Sequence, residues 1–445
     1  MGKFEIFREK YPEFIYHGFT VSEEIDKLKI KYHFEIKDLS EFCPEWTFPK
    51  NSDAKIDETV RNLIFSIGMV ELVSYWKITC SPKVKVNCGI ITKEQVDWWK
   101  KQYFNGLGEF FYKNEITTDI NSFMEIISSG EKFLPADSEK ELKGSLIPIG
   151  GGKDSIVTLN LLKGDKKENS CYIINPRGAT VKTAEVAGYD ESEVFSAYRT
   201  LDANMLELNR QGFLNGHTPF SALVAFSAVL TAYLNGKKYV VLSNESSANE
   251  STVSGTDVNH QYSKSFQFEK DFNEYEKKYI NSKVYYFSLL RPWSEYQIAK
   301  YFAKLKDFHS VFRSCNVGSK KDIWCADCSK CLFVAIILSP FLSLDEIEKI
   351  FGKNLFDEEK MIPILKQLIG IDKEKPFECV GSRDEINTSL VMAIQREKNL
   401  PLLLDFYKGT ELFKEYSNRK NPYENYYNEE NLLPEHFQKL LKNAF

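Results

Sequence analysis

The sequence lacks the features that mark several classes of protein. No apolar run approaches the roughly 20 residues that a membrane-spanning helix needs, and the first ten residues contain no apolar signal core. Basic residues are not in excess, because 58 Lys and Arg against 63 Asp and Glu give a net charge of -5, which argues against a large nucleic-acid surface. We therefore expect a cytoplasmic protein with neither a membrane nor a nucleic acid as partner.

The length and the first third of the chain indicate more than one domain. A chain of 445 residues with 43% hydrophobic and 14% aromatic residues can form sizeable cores. Residues 28–36 alternate between apolar and polar, which predicts a strand with one solvated face. Apolar stripes predict helices over 57–76 and 93–112. The polar stretch 135–140 then predicts a boundary, so we expect an α+β domain over residues 1–140.

From residue 145 the pattern changes to strands that alternate with helices. The predicted strands are 145–149, 171–174, 193–198, 239–242 and 284–290, and the predicted helices are 155–162, 181–187, 219–234 and 295–305. This alternation predicts an α/β fold with a doubly wound parallel sheet over residues 141–310. A cysteine-rich segment (311–335) and a helical region (336–445) complete the predicted organisation.

A glycine-rich turn joins the first of these strands to its helix. The run Ile147-Pro148-Ile149-Gly150-Gly151-Gly152-Lys153-Asp154-Ser155 lets the backbone turn tightly and leaves helix N–H groups for a phosphate. It is not a Walker sequence, which needs a second glycine followed by Lys-Ser/Thr. We expect the backbone of Gly151 to Ser155 and the Ser155 hydroxyl to hold pyrophosphate, Lys153 to add charge and Asp154 to reach a magnesium ion.

Polar residues follow other predicted strands at the edge where ligands bind in such sheets. Asn175, the stretch 243–251, the stretch 259–265 and Arg291 all lie there. In these stretches Glu245 or Glu250 can bind metal or act as a base, and His260 or Lys264 can meet a phosphate. The alternative is an ordinary solvated loop.

Four of the nine cysteines lie close together, at Cys315, Cys325, Cys328 and Cys331. Such clustering in a chain without an export signal indicates a metal rather than disulfides. Four thiolates close a tetrahedral zinc site with no open position, so we expect a structural metal. The alternatives are four unpaired thiols and an iron–sulfur cluster.

Glu378 and Cys379 precede a helix that begins with the capping sequence Ser382-Arg383-Asp384-Glu385. One interpretation is a simple helix entry with a buried cysteine. The other is a reactive thiolate near a helix N-terminus.

These motifs resemble two families of the PP-loop ATP pyrophosphatases, whose loop reads S-G-G-x-D-S. Gly150, or Ile149 in the other alignment, stands here at its first, serine position. Residues 145–335 are similar to the 7-cyano-7-deazaguanine synthases, which have a like cysteine quartet. Nearly the whole chain resembles the ATP-dependent UDP-N-acetylmuramoyl-L-alanyl-L-glutamate epimerases (MurL). That resemblance rests on the N-terminal extension, the Gly-Gly-Gly-Lys-Asp-Ser loop, the 244–250 stretch and the 378–381 turn.

The resemblance to the epimerases implies a fold of the PP-loop type and an activity that inverts the terminal L-glutamate of a UDP-muramoyl dipeptide through an acyl adenylate, releasing AMP and pyrophosphate. It implies ATP, Mg²⁺ and structural Zn²⁺ as cofactors and a small-molecule substrate. Candidate catalytic residues are Cys379, Glu378, Glu245 and His260. Candidate cofactor-binding residues are Gly150, Gly151, Gly152, Lys153, Asp154, Ser155 and Asn175. Candidate substrate-binding residues are Asn244, Asn249, Glu250, Lys264 and Arg291. The alternative function is a nucleoside- or tRNA-modifying PP-loop enzyme.

Overall fold

The computed structural model describes residues 2–136, 140–249 and 261–444, with the backbone alone at 248 and 249. These residues form a mixed α/β fold around one large sheet, which confirms the predicted class. The strands are β1 (Glu13–Glu23), β2 (Lys27–Ile36), β3 (Ser40–Phe42), β4 (Glu45–Pro49), β5 (Lys83–Val86), β6 (Glu125–Ser128), β7 (Ser145–Pro148), β8 (Ser170–Ile174), β9 (Val194–Arg199), β10 (Tyr239–Leu242) and β11 (Tyr285–Ser288).

The helices precede, follow and connect these strands, and they continue to the end of the described chain. They are α1 (Lys3–Lys10), α2 (Glu58–Trp76), α3 (Lys93–Gly106), α4 (Gly108–Lys113), α5 (Lys153–Leu161), α6 (Gly178–Val186), α7 (Ala203–Arg210), α8 (Phe220–Leu234), α9 (Phe266–Tyr275), α10 (Glu295–Phe302), α11 (Ser329–Leu338), α12 (Leu344–Phe351), α13 (Ile362–Ile369), α14 (Arg383–Arg396), α15 (Leu402–Lys408), α16 (Glu411–Ser417) and α17 (Glu435–Lys442). Among the described helices, none combines the length and the apolar character needed to cross a bilayer.

The sheet has a parallel half and a mostly antiparallel half. Its strand order is β11-β10-β7-β8-β9-β4-β2-β1-β5-β6, with β3 paired to β2. The five strands from β11 to β9 are parallel to one another. Their order places β7 between β8 and β10, so the chain winds outward from β7 in both directions. In open sheets of this kind the ligand crevice lies where the winding direction changes, beyond the carboxyl ends of the strands.

Helices cover both faces of the parallel half. Side chains on successive strand positions point to opposite faces, and Leu146 on β7 joins one hydrophobic core while Ile147 joins the other. The same division separates Val240 from Val241 on β10. The long helices α2 and α8 cover the first core, and α5, α10 and α11 cover the second. The fully apolar strand β10 is central and parallel, as its sequence predicted.

The antiparallel half is built from the N-terminal strands. The alternating segment 28–36 forms β2, whose burial alternates and which pairs antiparallel with β1 and β4, as predicted. Strand β4 then pairs antiparallel with β9, where Trp46 lies opposite Arg199. The two halves therefore share one sheet, while the domain boundary near residue 140 stays a prediction.

The predicted single helix over 93–112 is wrong, because the structure has two helices there. Helix α3 ends at Gly106 and α4 begins at Gly108. Glycine weakens a helix interior, and a Cβ at Gly106 would lie 2.9 Å from the ring of Pro219. Because Pro219, which is distant in sequence, packs this closely, only glycine fits at position 106, and that glycine interrupts the helix.

A buried ion pair stabilises the seam between β4 and β9. The Glu71 side chain of α2 is fully buried, and Arg199 donates to it from Nε at 2.9 Å and from Nη2 at 2.6 Å. Trp46 Nε1 donates to the same carboxylate at 3.0 Å. One carboxylate therefore joins a helix and both strands of the seam.

We expect Arg199→Met to lower the free energy of unfolding by about 3 kcal/mol or more, because it leaves the Glu71 carboxylate buried without a cation. Chemical denaturation followed by circular dichroism measures this. The matched control is Arg210→Met, which removes an exposed ion pair with Glu207 and should cost about 0.5 kcal/mol or less. Equal effects of the two substitutions would contradict this role for the seam.

Candidate functional site

A cleft of about 510 Å³ lies at the carboxyl ends of the parallel strands. It opens beside β7 and β10, where the winding direction of the sheet changes. The glycine turn after β7, the polar residues after β10, the first turn of α8 and a segment between α10 and α11 form its walls. The structure thus brings together many residues that the sequence analysis singled out, among them Gly150, Gly152, Asp154, Ser155, Asn244, Glu245, Lys264 and Cys379.

The glycine turn has the backbone geometry of an anion site. Gly151 has a φ of +81°, a conformation that favours glycine, and a Cβ there would crowd Ala179. A Cβ at Gly150 would meet nothing within 4 Å, so open space lies beside that residue. Helix α5 follows with Gly152 as its N-cap, which has no side chain to satisfy the first N–H groups. These N–H groups and the positive end of the helix dipole suit a phosphate.

Lys153 does not line the cleft but lies beneath it. Its ammonium is buried and forms ion pairs with Asp154 and with Glu295 of α10. Burial alone raises the pKa of Asp154, but the charges of Lys153, Lys330 and Lys264 outweigh it and leave that pKa below its usual value. Burial raises the pKa of Glu295 to about 8, although Lys153 opposes the shift. Asp154 is therefore ionised at neutral pH, whereas Glu295 retains its proton more readily.

Three carboxylates meet at this point of the cleft. Oxygen atoms of Asp154, Glu245 and Glu295 all lie within 4.8 Å of one another. Carboxylate oxygens are the ligands that Mg²⁺ prefers in proteins. Lys153 contacts one oxygen of Asp154 and one of Glu295, which leaves the second oxygen of each for a cation. The donor set therefore fits a divalent metal.

A lysine–cysteine pair lies in the same cleft. Lys264 Nζ donates to Cys379 Sγ at 3.0 Å. Burial would lower the pKa of Lys264, but Cys379, Glu245 and Asp154 outweigh it, so the pKa is raised above its ordinary value. The Lys264 ammonium therefore persists at neutral pH beside the sulfur, an arrangement that stabilises a thiolate. Lys330 of α11 also donates to the backbone oxygen of Cys379.

Arg291 supports this pair from below the cleft. Its side chain is fully buried, and its guanidinium donates to the backbone oxygens of Glu245 at 2.7 Å and of Lys264 at 2.6 Å. The partner Glu269 accepts from it at 3.0 Å. Arg291 therefore fixes the two segments that carry cleft residues and does not itself line the cleft.

Other sequence-predicted residues lie at or beyond the edge of the cleft. Asn244 lines it and donates to Ser288 Oγ at 3.0 Å. Asn175 is exposed and bonds to the backbone of Arg199. Glu378 lies on the cysteine side, near enough to interact electrostatically with Cys328. Glu250 and His260 lie outside the described residues, and Asn249 is described by its backbone alone.

The four cysteines converge beside the cleft. Their sulfur atoms all lie within 4.8 Å of one another, with Cys315–Cys328 at 3.8 Å, Cys325–Cys331 at 3.7 Å and Cys328–Cys331 at 3.5 Å. Sulfurs at 2.3 Å from a tetrahedral zinc ion would be about 3.8 Å apart. The N–H groups of Gly318 and Cys325 donate to Cys315 Sγ at 3.1 and 3.4 Å. The quartet therefore fits a structural metal ion, and Cys315 itself lines the cleft.

The sequence analysis missed several cleft residues, namely Glu295, Arg313, Ser314 and Lys330. Glu295 had a recognisable signal, because it opens a helix directly after the strand that ends near Arg291. The capping sequence at residues 382–385 was predicted correctly, but its Glu385 also accepts from the backbone N–H of Glu295 at 2.7 Å. That contact joins residues 90 positions apart and positions Glu295, so no local sequence pattern could have predicted it.

The fold and the cleft define a mixed α/β protein with a polar ligand site at the carboxyl ends of its parallel strands. A family model described as the MurL N-terminal domain matches residues 6–289, and one described as the MurL C-terminal domain matches residues 307–404. The chain therefore belongs to the MurL family. No solved structure matches it.

Three curated relatives carry the name UDP-N-acetyl-alpha-D-muramoyl-L-alanyl-L-glutamate epimerase. The protein of Xanthomonas oryzae pv. oryzae is 33% identical over 345 residues, which are 76% of this chain and 75% of the relative. The protein of Salinispora tropica is 34% identical over 348 residues, which are 76% of this chain and 75% of the relative. That of a Micromonospora species is 32% identical over 361 residues, 79% and 80% of the two chains.

We expect the purified protein to contain about one zinc ion per chain, measured by inductively coupled plasma mass spectrometry. Cys328→Ser should lower this content to near zero, because a tetrahedral thiolate site loses one of four ligands. Cys43→Ser makes the same chemical change outside the quartet and should leave the content unchanged. Iron and acid-labile sulfide in place of zinc would contradict the structural-zinc interpretation.

Proposed function

We propose that this protein inverts the terminal L-glutamate of UDP-N-acetylmuramoyl-L-alanyl-L-glutamate to D-glutamate, with ATP converted to AMP and pyrophosphate. The family and the name of its three relatives support the epimerase activity. The observation that carries the ATP-dependent mechanism is the single cleft in which an anion-binding glycine turn faces a lysine–cysteine pair. This reaction belongs to the synthesis of peptidoglycan precursors.

The strand order and the loop support a fold of the PP-loop type for residues 141–310. The parallel strands follow the order β11-β10-β7-β8-β9, and the glycine turn comes after the central β7. In such sheets a nucleotide phosphate binds at a turn of this kind, which supports the proposed fold type. The remaining proposed divisions are an N-terminal domain (1–140), a four-cysteine zinc site (311–335) and a helical region (336–445).

The first chemical step requires a phosphate site. A carboxylate oxygen of the glutamate attacks the α-phosphorus of ATP, which forms an acyl adenylate and releases pyrophosphate. The backbone of Gly150–Gly152, with Ser155, would hold the pyrophosphate end, and Asp154, Glu245 and Glu295 would hold Mg²⁺. A bound magnesium ion supplies neutralisation of phosphate charge. The residues present fit this chemistry, because the turn leaves open space at Gly150 and uncapped N–H groups on α5.

The second step requires proton transfer at Cα. The acyl adenylate must form on the carboxylate attached to Cα, since only that one acidifies the proton at the stereocentre. Activation removes the full negative charge beside the developing enolate. Inversion then needs a base on one face and an acid on the other. Cys379, beside the Lys264 ammonium, is the proposed base, and Glu378 and His260 are the candidates for the acid.

Water then attacks the acyl carbon, and the products are AMP and the D-glutamyl nucleotide. The side chains of Lys330 and Arg313 also line the cleft. These cations complement a substrate that carries a diphosphate and carboxylates.

We expect the protein with Mg²⁺, ATP and the L-glutamyl nucleotide to form AMP, and in D₂O to incorporate one deuterium at Cα of the glutamate. Chiral chromatography of the hydrolysed product should show D-glutamate. Asp154→Asn should reduce AMP formation at least a hundredfold with the fold retained. The matched control, Asp165→Asn, changes an exposed carboxylate and should not alter the rate. D-glutamate without AMP would contradict the ATP-dependent mechanism.

We expect Cys379→Ser to separate the two steps. It should lower Cα deuteration at least a hundredfold, since a serine hydroxyl is a far weaker base at neutral pH. It should retain exchange of labelled pyrophosphate into ATP, which reports the adenylation step alone. Lys264→Met should move the pH at which deuteration is half-maximal upward, because the thiolate loses its adjacent cation.

Cys43→Ser is the control for the cysteine change, and its deuteration rate should equal that of the unaltered protein. Deuteration by Cys379→Ser at the unaltered rate would place the base on another residue.

A further inference from the structure

The three glycines of the turn have no side chain that could bind a phosphate. Residues 150–152 are all glycine, and the next residue, Lys153, directs its ammonium to Asp154 and Glu295 beneath the cleft. Open space lies beside Gly150, where a Cβ would meet nothing within 4 Å. Ser155, in the first turn of α5, lines the cleft, but its hydroxyl donates to the Gly152 oxygen at 3.0 Å. A further side-chain donor to a phosphate at this point must come from another part of the chain.

The segment Arg313–Ser314 lies directly against the turn. The backbone N–H of Arg313 donates to the Gly151 oxygen at 2.7 Å. A Cβ at Gly152 would lie 3.2 Å from the Ser314 Cβ, so Ser314 occupies the side of the turn that a larger residue would need. Cys315 follows and belongs to the cysteine quartet. The segment is therefore fixed by a hydrogen bond on one side and by the quartet on the other.

The hydroxyl of Ser314 is one of several buried hydroxyls that have no hydrogen-bond partner among the described residues. Nε of the adjacent Arg313 is likewise buried and has no hydrogen-bond partner among the described residues. Most buried hydroxyls in proteins have a hydrogen-bond partner, which can be a bound ligand or water. Ser314 also lines the cleft together with Gly150 and Gly152.

We propose that Ser314 donates its hydroxyl proton to a phosphate oxygen held by the glycine turn, with the Arg313 guanidinium beside it as the counter-charge. The ligand class is the pyrophosphate end of a nucleoside triphosphate. This proposal rests on the proposed function and names a binding residue from a segment about 160 residues beyond the turn. In this arrangement Ser314 supplies the side-chain hydroxyl that Gly150 does not.

The test uses the full-length protein and titration calorimetry with two probes, Mg²⁺–ATP and inorganic pyrophosphate. Ser314→Ala should weaken binding of both probes about tenfold, which is the loss of one hydrogen bond to a charged group. The single Gly150→Ser variant should fold, because its side chain enters open space. The double variant Gly150→Ser/Ser314→Ala should bind to within about threefold of the unaltered protein. Ser417→Ala, whose Oγ bonds within its own helix, is the control for the substitution.

The outcomes separate this proposal from the proposed function. Binding by Ser314→Ala as tight as that of the unaltered protein overturns the proposal while leaving the ATP site intact. Failure of Gly150→Ser to restore binding in the double variant also overturns it, because a purely structural loss at Ser314 could not be repaired from the turn. If the unaltered protein binds neither probe, the ATP-dependent function itself is what fails.

Discussion

The buried ammonium of Lys153 is the interaction on which the cleft depends. It links Asp154, in the first turn of α5, to Glu295, in the first turn of α10. It thereby joins the glycine turn after β7 to the segment after β11, two strands away in the sheet. A buried charge is tolerated only when it is paired, so the two helix starts cannot move apart without exposing an uncompensated ion. Glu385 adds a third helix, because it accepts from the Glu295 backbone.

The walls of the cleft come from distant segments, each fixed by buried polar contacts. Arg291 joins the backbones of Glu245 and Lys264, and Lys330 contacts the backbone of Cys379. Lys330 lies between two of the quartet cysteines in sequence, so a metal ion bound there would also fix the lysine that supports Cys379. The metal site is then part of the cleft wall, although its four thiolates leave no position for catalysis.

Patterns among neighbouring residues predicted several strands and helix starts correctly, whereas features that depend on contacts between distant residues could not be predicted from the sequence. The alternation of β2, the apolar strand β10 and the capping sequence at Ser382 each depend on neighbouring residues, and each was predicted correctly. The interruption at Gly106 follows from Pro219, and the pairing of β4 with β9 joins segments about 150 residues apart. No sequence motif marks Ser314, because only its position against the glycine turn in the folded chain indicates a role for it.

The charges in the cleft also constrain the order of events. Asp154 is ionised and Lys264 is protonated at neutral pH, so charges of both signs line the cleft before any ligand enters. An incoming triphosphate adds several negative charges beside the three carboxylates, and repulsion would oppose it unless a cation enters with it. Under the proposed function, the nucleotide would therefore enter as its magnesium complex. In the proposed mechanism the carboxylate of the glutamate would then attack the α-phosphorus, and proton transfer at Cα would follow at the side of the cleft where Cys379 and Lys264 lie.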